Sequence, residues 1–341
     1  MIQKSSRLRG DAAWTRRAIA LWALAAQLSA CVSFPPAPTS STKPRLDADR
    51  LISADGASLG LEIWRSNAPK AVILAVHGMN DYGRHFADAG KWLSSNAQLT
   101  VYAYDQRGFG RSPEFGRWVG AEALRADLRS AIVAVREANP GLPLYLLGHS
   151  MGAAVVMSAA AEGPLDIDGA ILAAPAVWGG SQMPLIYRVS ANLAATLAPG
   201  KALTGERAGR QSTDNIAALR EMIADPLVIK PTRLDAVLGV TRIMGDAWDS
   251  SDEIGGTILV LYGARDEIIP PASQEKASDR LCGRVDRRRY PDGWHLLLRD
   301  LQAEVVWRDI AAWIGESIVE NENGADRRLG PASLLCAPSV R

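Results

Sequence analysis

Residues 144–156 read Leu-Tyr-Leu-Leu-Gly-His-Ser-Met-Gly-Ala-Ala-Val-Val, and the serine at their centre is the chain's candidate nucleophile. Gly148-His149-Ser150-Met151-Gly152 fits G-x-S-x-G. Leu144 to Leu147 has the length and apolar character of a buried strand, and small helix-forming residues follow from Ala153. A strand, a strained turn with serine at its tip and then a helix make a nucleophile elbow. A serine hydroxyl attacks an acyl carbon only if a base takes its proton, and the base needs an orienting carboxylate. The chain has four histidines. His149 lies inside the elbow, its ring expected to point away from the base position. His77 opens a loop where its backbone is expected to matter more than its ring, and His85 stands near a helix start with no evident partner. His295, in Gly293-Trp294-His295-Leu296, follows the last strand by a short loop and reads as the base. Asp266 directly follows the strand ending at Tyr262, between nucleophile and base in the chain, and reads as the acid. Glu267 is its neighbouring alternative, and a solvated pairing of Asp266 with Arg265 is the competing structural account. A tetrahedral intermediate also needs two donors for its oxyanion. The backbone N–H of Met151, at a helix N-terminus, and that of Met79 are the candidates. The histidines are dispersed and no Cys-rich or His-x-x-x-His spacing occurs, so neither a metal site nor a cofactor is expected.

These residues need a frame that brings strand ends together. Ala71–Val76, Leu99–Tyr104, Leu144–Leu147, Ala170–Ala174, Thr257–Tyr262 and Val285–Tyr290 read as strands. Residues 51–64 add two short ones around Asp55-Gly56. Helical patterns over 121–138, 272–281 and 301–314 alternate with them. Alternation of this kind gives an α/β fold, a mostly parallel sheet with helices on both faces. Ligands then lie beyond the carboxyl ends of the strands, where every candidate catalytic residue falls. Residues 176–250 break the rhythm with helical patterns and no clear strand. The core is therefore expected at 46–175 and 251–319, with a helical cap at 176–250 inserted after the sixth strand and a loosely ordered tail at 320–341. Within the cap, Met183, Leu185, Ile186, Tyr187, Leu193 and Leu197 are candidates either to line an acyl tunnel, with Val237, Val240, Ile243 and Met244 facing them, or simply to pack the cap onto the core.

Taken together, His77-Gly78 with Arg84 and Phe86, Tyr104 to Ser112, Gly148 to Gly152, Asp225-Pro226-Leu227-Val228, Gly263 to Pro270 and His295-Leu296-Leu297 carry a family resemblance. The chain resembles the α/β-hydrolases over roughly residues 50–316, and within them the monoacylglycerol lipase and lysophospholipase branch, also called serine-aminopeptidase-like. That resemblance implies the α/β-hydrolase fold and a serine hydrolase acting through an acyl-enzyme on a small, lipid-like ester. The branch usually carries a glycine or an acid–His pair after His-Gly, where this chain has Met79-Asn80-Asp81-Tyr82. A peptidase or amidase on the same triad is the second reading, with Glu206, Asp214 or Glu221 to hold a substrate amino group. A non-catalytic binding lipoprotein is the third.

The N-terminus stands apart. Lys4, Arg7, Arg9, Arg16 and Arg17 precede the apolar stretch Ala18–Ala26, which is too short for a permanent span. Leu28-Ser29-Ala30-Cys31 then resembles a bacterial lipobox. Residues 1–30 read as a lipoprotein signal peptide, and 31–45 as a lipidated Cys31 followed by a Pro/Ser/Thr tether. Membrane attachment would be through the lipid alone. Val32 after the cysteine points to the outer membrane of a Gram-negative cell, facing the periplasm. In such an oxidising compartment Cys282 and Cys336 are candidates for a disulfide. With 38 basic and 37 acidic residues and a net charge of +1, nothing suggests a nucleic-acid partner.

Overall fold

The computed structural model describes residues 32–204, 209–323, 334 and 336. The signal segment 1–30, Cys31 and Glu206 lie outside them. Four central strands, β4 (Ala71–Val76), β5 (Leu99–Tyr104), β6 (Leu144–His149) and β7 (Gly169–Ala173), are buried at every residue. Their continuous apolar sequence follows from this, because both faces of a parallel sheet are covered. The sheet order is β1-β2-β3-β5-β4-β6-β7-β10-β11. β10 (Thr257–Gly263) and β11 (Arg284–Tyr290) continue the parallel part. β1 (Arg45–Asp47), β2 (Arg50–Ile52) and β3 (Ser58–Trp64) form an antiparallel edge on β5.

Helices cover the two faces. α1 (Ala87–Asn96) follows β4, α2 (Ala121–Ala138) follows β5 and α3 (Met151–Glu162) follows β6. α7 (Pro271–Arg280) and α8 (Ala303–Asn323) complete the core. One layer buries Leu124, Leu128, Val155 and Ile258; the other buries Phe86, Leu93, Leu297 and Trp313. This is the expected α/β-hydrolase architecture. Among the described residues no helix is long and apolar enough to cross a membrane.

The structure corrects several boundaries. The edge strand β1 makes β7 the seventh strand of the chain, so the insertion follows the seventh and not the sixth. The cap holds helices α4 (Leu185–Leu197), α5 (Ile216–Ala224) and α6 (Leu234–Asp249). It also holds an antiparallel pair, β8 (Ala202–Thr204) with β9 (Pro231–Arg233), where no strand was expected. Three-residue strands are too short to leave a periodic signal. The tail is not loose throughout: α8 runs to Asn323, Leu334 is buried in the core, and Cys336 is disulfide-bonded to Cys282. Nor is the tether free, since Phe34 packs edge-on against Trp118.

Candidate active site

The elbow sits between β6 and α3. Ser150 takes φ +54°, ψ −117°, outside the regions an L-residue prefers. Two glycines make room for it. A Cβ on Gly148 would stand 2.6 Å from Ala153 Cα, and one on Gly152 would stand 2.0 Å from the Val76 carbonyl oxygen, so any side chain there meets rigid backbone. The Ser150 N–H donates to the Ala173 carbonyl at 2.9 Å, which holds the strained residue from the neighbouring strand.

Three expected residues converge on this turn. His295 Nε2 accepts the Ser150 hydroxyl at 2.9 Å, and its Nδ1–H donates to Asp266 Oδ2 at 2.9 Å. All three are buried. Asp266 is not a solvated partner of Arg265, which instead pairs with Asp292. Its Oδ1 accepts the N–H groups of Ile268 and Ile269, each at 2.8 Å, and its Oδ2 also accepts Gln274 Nε2 at 3.0 Å. Glu267 points elsewhere, accepting the Gln211 N–H. The base loop is stapled in turn. Asp300 accepts the Trp294 N–H at 2.8 Å and the Thr213 hydroxyl at 2.7 Å, and the Leu296 N–H donates to the Ser212 carbonyl. Burial raises the Asp300 carboxyl above its ordinary value.

The other histidines form the layer beneath, and here the sequence reading needs correction. His149 does not point away: its Nε2–H donates to the His295 backbone carbonyl at 3.0 Å, bracing the base from below. His85 is not partnerless. Its ring stacks on His149 with centroids 4.5 Å apart, and its Nδ1–H donates to Asp81 Oδ2 at 2.7 Å. Burial pushes the Asp81 carboxyl up, but the facing His85 outweighs it and holds the group at about 2. The His77 ring matters as well as its backbone. Nε2 accepts the Gln106 N–H at 2.8 Å while Nδ1–H donates to the Gly78 carbonyl, and Gln106 Nε2 donates to the His77 carbonyl. This clasp joins the loop after β4 to the loop after β5. Asp105 adds to it by accepting the Gly83 N–H.

That loop carries Met79. A Cβ on Gly78 would lie 3.2 Å from Ser150 Cβ, so the loop passes directly beside the nucleophile. Met151 opens α3 next to it. Among the described residues neither the Met79 nor the Met151 amide is engaged in a loop or cap hydrogen bond. The unusual stretch after His77-Gly78 fastens the loop to the cap. Asn80, at φ +67°, accepts the Ile229 N–H through its carbonyl and donates Nδ2–H to Thr232 Oγ1 at 2.7 Å. The Tyr82 hydroxyl donates to Asp225 Oδ2 at 2.6 Å, giving the Asp225-Pro226-Leu227-Val228 stretch its role. Of the suggested tunnel residues, Leu185, Ile186, Tyr187, Leu193 and Leu197 are exposed to solvent, while Ile243 and Met244 pack into the core.

Two of these rings set an acid limit on stability. Burial drives the His77 imidazole below its ordinary value. The same force drives His149 well below, with repulsion from His85 and His295 adding to it. Both are neutral in the native state, whereas the unfolded chain takes up their protons below about pH 6.5. The native state therefore loses stability as pH falls through that value, by up to about 1.4 kcal/mol per pH unit from His149, with His77 acting in the same direction. Urea unfolding at pH 7, 6 and 5 should show this slope, and His149→Asn should make it shallower. Equal slopes in the two proteins would mean that His149 is charged in the folded state.

Comparison with known proteins comes to the same place. A family model described as "Serine aminopeptidase, S33" matches residues 67–302. The monoacylglycerol lipase of Mycolicibacterium smegmatis is 27% identical over 270 residues, covering 76% of this chain and 93% of that protein. The monoglyceride lipase of Homo sapiens is 31% identical over 159 residues, covering 46% of this chain and 52% of that protein. Among solved structures, a soluble variant of monoglyceride lipase from Saccharomyces cerevisiae in complex with a substrate analogue superposes with TM-score 0.66 at 20% identity, covering 83% of this chain and 99% of that one.

Proposed function

The chain belongs to the serine aminopeptidase S33 family, and from that premise we propose that it is a serine hydrolase cleaving carboxylic esters, with monoacylglycerol- or lysophospholipid-like molecules as substrates. The observation that carries this reading is the continuous chain Ser150 Oγ, His295 Nε2, His295 Nδ1, Asp266 Oδ2, closed at 2.9 Å in both links. Ser150 Oγ attacks the ester carbonyl carbon as His295 Nε2 takes its proton. The carbonyl oxygen becomes an oxyanion facing the Met79 and Met151 amides. The tetrahedral intermediate collapses, the C–O bond to the alcohol breaks, and His295 returns the proton to the leaving oxygen. A water molecule, deprotonated by the same nitrogen, then attacks the acyl carbon; the bond to Ser150 Oγ breaks, and His295 returns the proton to that oxygen as the acid leaves. Asp266 Oδ2, accepting the Nδ1–H, holds that tautomer throughout.

The substrate class draws support from the relatives, which are named for monoacylglycerol hydrolysis. The amidase reading has the family description behind it, but of the three carboxylates suggested for a substrate amine Glu206 lies outside the described residues and the other two are engaged. Asp214 accepts the Leu301 N–H and Glu221 meets Arg299 at 3.5 Å. The binding-module reading has to explain an intact triad, and fluorophosphonate labelling of Ser150 would dispose of it. Hydrolysis of a p-nitrophenyl ester series from two to sixteen carbons, beside an aminoacyl-anilide panel, tests the substrate class. A maximum at medium or long chains supports it. Turnover confined to the anilides overturns it.

The reading includes export as a lipoprotein modified at Cys31 and facing the periplasm from the outer membrane. Leu28-Ser29-Ala30-Cys31 motivates it, and the Cys282–Cys336 disulfide favours an oxidising compartment. A mature N-terminus that carries no acyl mass on Cys31 would refute it.

A further inference from the structure

Five consecutive residues of the cap, 211–215, lie against the two loops that carry the acid and the base, and each makes a bond there. Gln211 donates its N–H to Glu267 Oε2 at 2.7 Å, beside Asp266. The Ser212 carbonyl accepts the Leu296 N–H at 2.9 Å, and the Thr213 hydroxyl donates to Asp300 Oδ1 at 2.7 Å. Asp214 Oδ1 accepts the Leu301 N–H at 2.9 Å, and Asn215 Nδ2 donates to the Arg299 carbonyl at 2.8 Å. The segment also braces itself. Gln211 Nε2 donates to the Thr213 carbonyl at 2.9 Å, and the Asn215 N–H donates to Thr213 Oγ1 at 3.0 Å. Thr213, at the centre of this arrangement, is fully buried.

The bonds fall on both sides of the base. Before His295, the Trp294 N–H donates to Asp300 Oδ2 at 2.8 Å, and the other oxygen of that carboxyl takes the Thr213 hydroxyl. After it, the Leu296 N–H meets Ser212 directly. The other two triad members are held from within the core: Ser150 by the Ala173 carbonyl, and Asp266 by the Ile268 and Ile269 amides and Gln274 of α7. The base takes two of its supports from the cap. The rest of the cap moves with them, because Asn215 Oδ1 also accepts the Ala218 N–H and so caps helix α5. At the far end of α5, about 13 Å away, Asp225 accepts the hydroxyl of Tyr82 from the loop of Met79. A single short helix thus joins the base loop to the oxyanion loop.

We propose that residues 211–215 are the positioning element of the base: Thr213, through Asp300, and Ser212 set His295 against Ser150 Oγ while the cap is seated, and displacement of the cap disengages the imidazole. The proposal rests on the ester-hydrolase reading and gives that site its regulation, in which competence for proton transfer follows the position of the cap. A shift of about 1 Å in a reacting group can cost about 100-fold in rate, so a small movement of the segment suffices. Thr213→Val keeps the shape of the side chain and removes the hydroxyl. Asp300 Oδ1 is then left buried without its donor, and the carboxyl no longer holds the Trp294 N–H in place.

The test uses the full chain and p-nitrophenyl butyrate, well below the melting temperature of each variant. Thr213→Val should lower kcat by about ten- to a hundredfold with KM within about twofold, and Thr213→Ser should restore most of the loss. Asn215→Ser keeps an acceptor for the start of α5 but drops the bond to Arg299. It should lower kcat by about threefold, again with KM little changed, and it decides the matter if Thr213→Val does not fold. A readout independent of turnover is the low-field proton resonance of His295 Nδ1–H on Asp266, assigned by its loss in His295→Gln. It should shift or broaden in Thr213→Val and return in Thr213→Ser. An unchanged kcat and resonance in Thr213→Val overturn the proposal. A rise in KM at constant kcat also overturns it, since the segment would then serve substrate binding, and so does a loss that Thr213→Ser fails to restore. If the unaltered chain hydrolyses no ester, the hydrolase reading fails while the resonance still decides whether the segment positions the base.

Discussion

Ser150→Ala should lower ester turnover by about 10⁴–10⁶-fold and abolish fluorophosphonate labelling while the protein stays folded. The substitution removes one oxygen, and with it both the attacking atom and the proton that His295 Nε2 accepts at 2.9 Å. What remains are the Met79 and Met151 amides and the substrate pocket, which in serine hydrolases of this design leave roughly 10³–10⁴-fold over water. The fold should tolerate the change because the elbow is held by backbone. The Ser150 N–H donates to Ala173, and its carbonyl accepts the N–H groups of Ala153, Ala154 and Ala176. None of these bonds involves the hydroxyl. The positive φ penalises alanine no more than serine, so the unfolding free energy should move by less than about 1 kcal/mol. Circular dichroism melting beside the ester assay separates loss of chemistry from loss of fold. Retained turnover would place the nucleophile elsewhere.

The catalytic residues are legible in the sequence because chemistry restricts them to a few residue types and the fold restricts them to strand ends. Ser150 and Asp266 stand directly beyond apolar strands and His295 in a short loop after the arginine-rich edge strand β11, and the structure brings these three segments together. The supports are not legible in the same way. Gln274 reaches Asp266 from a helix, Thr213 reaches Asp300 across 87 positions, and His149 meets a backbone carbonyl 146 positions away. Spacing says nothing about such contacts, since they follow from how the loops pack after the sheet has formed. The histidine layer shows the limit well. An imidazole beside the nucleophile could be read only as facing away, because the carbonyl it binds is placed by tertiary structure. Helix α4 shows another limit. Periodicity identifies an apolar stripe but carries no sign, and in the structure Leu185, Ile186, Leu193 and Leu197 face solvent.

Asp266→Asn is expected to cost about 10⁴-fold in turnover although it changes neither size nor shape. The Asp266 carboxylate accepts four hydrogen bonds and donates none: the Ile268 and Ile269 amides on Oδ1, and Gln274 Nε2 and His295 Nδ1–H on Oδ2. Asparagine keeps one oxygen and brings one NH₂. If the NH₂ takes the Oδ1 position it meets two fixed backbone donors, which cannot turn away. If it takes the Oδ2 position it meets Gln274, whose amide can flip at the cost of its Nε2–H bond to the Ile269 carbonyl, and His295, whose proton can move. The second arrangement relieves the conflict, but it moves the imidazole proton from Nδ1 to Nε2. Nε2–H then faces the Ser150 hydroxyl as a donor, and the base can no longer take the serine proton. The loss should therefore fall on kcat with KM little changed, and it should partly recover at high pH, where the serine proton can leave without the imidazole. A companion Gln274→Ala variant separates tautomer from packing. It removes one donor to the carboxylate but leaves the Nδ1–H bond, so its turnover should fall far less than that of Asp266→Asn. Equal losses in the two variants would mean that Asp266 acts by holding the loop in place and not by fixing the proton on His295.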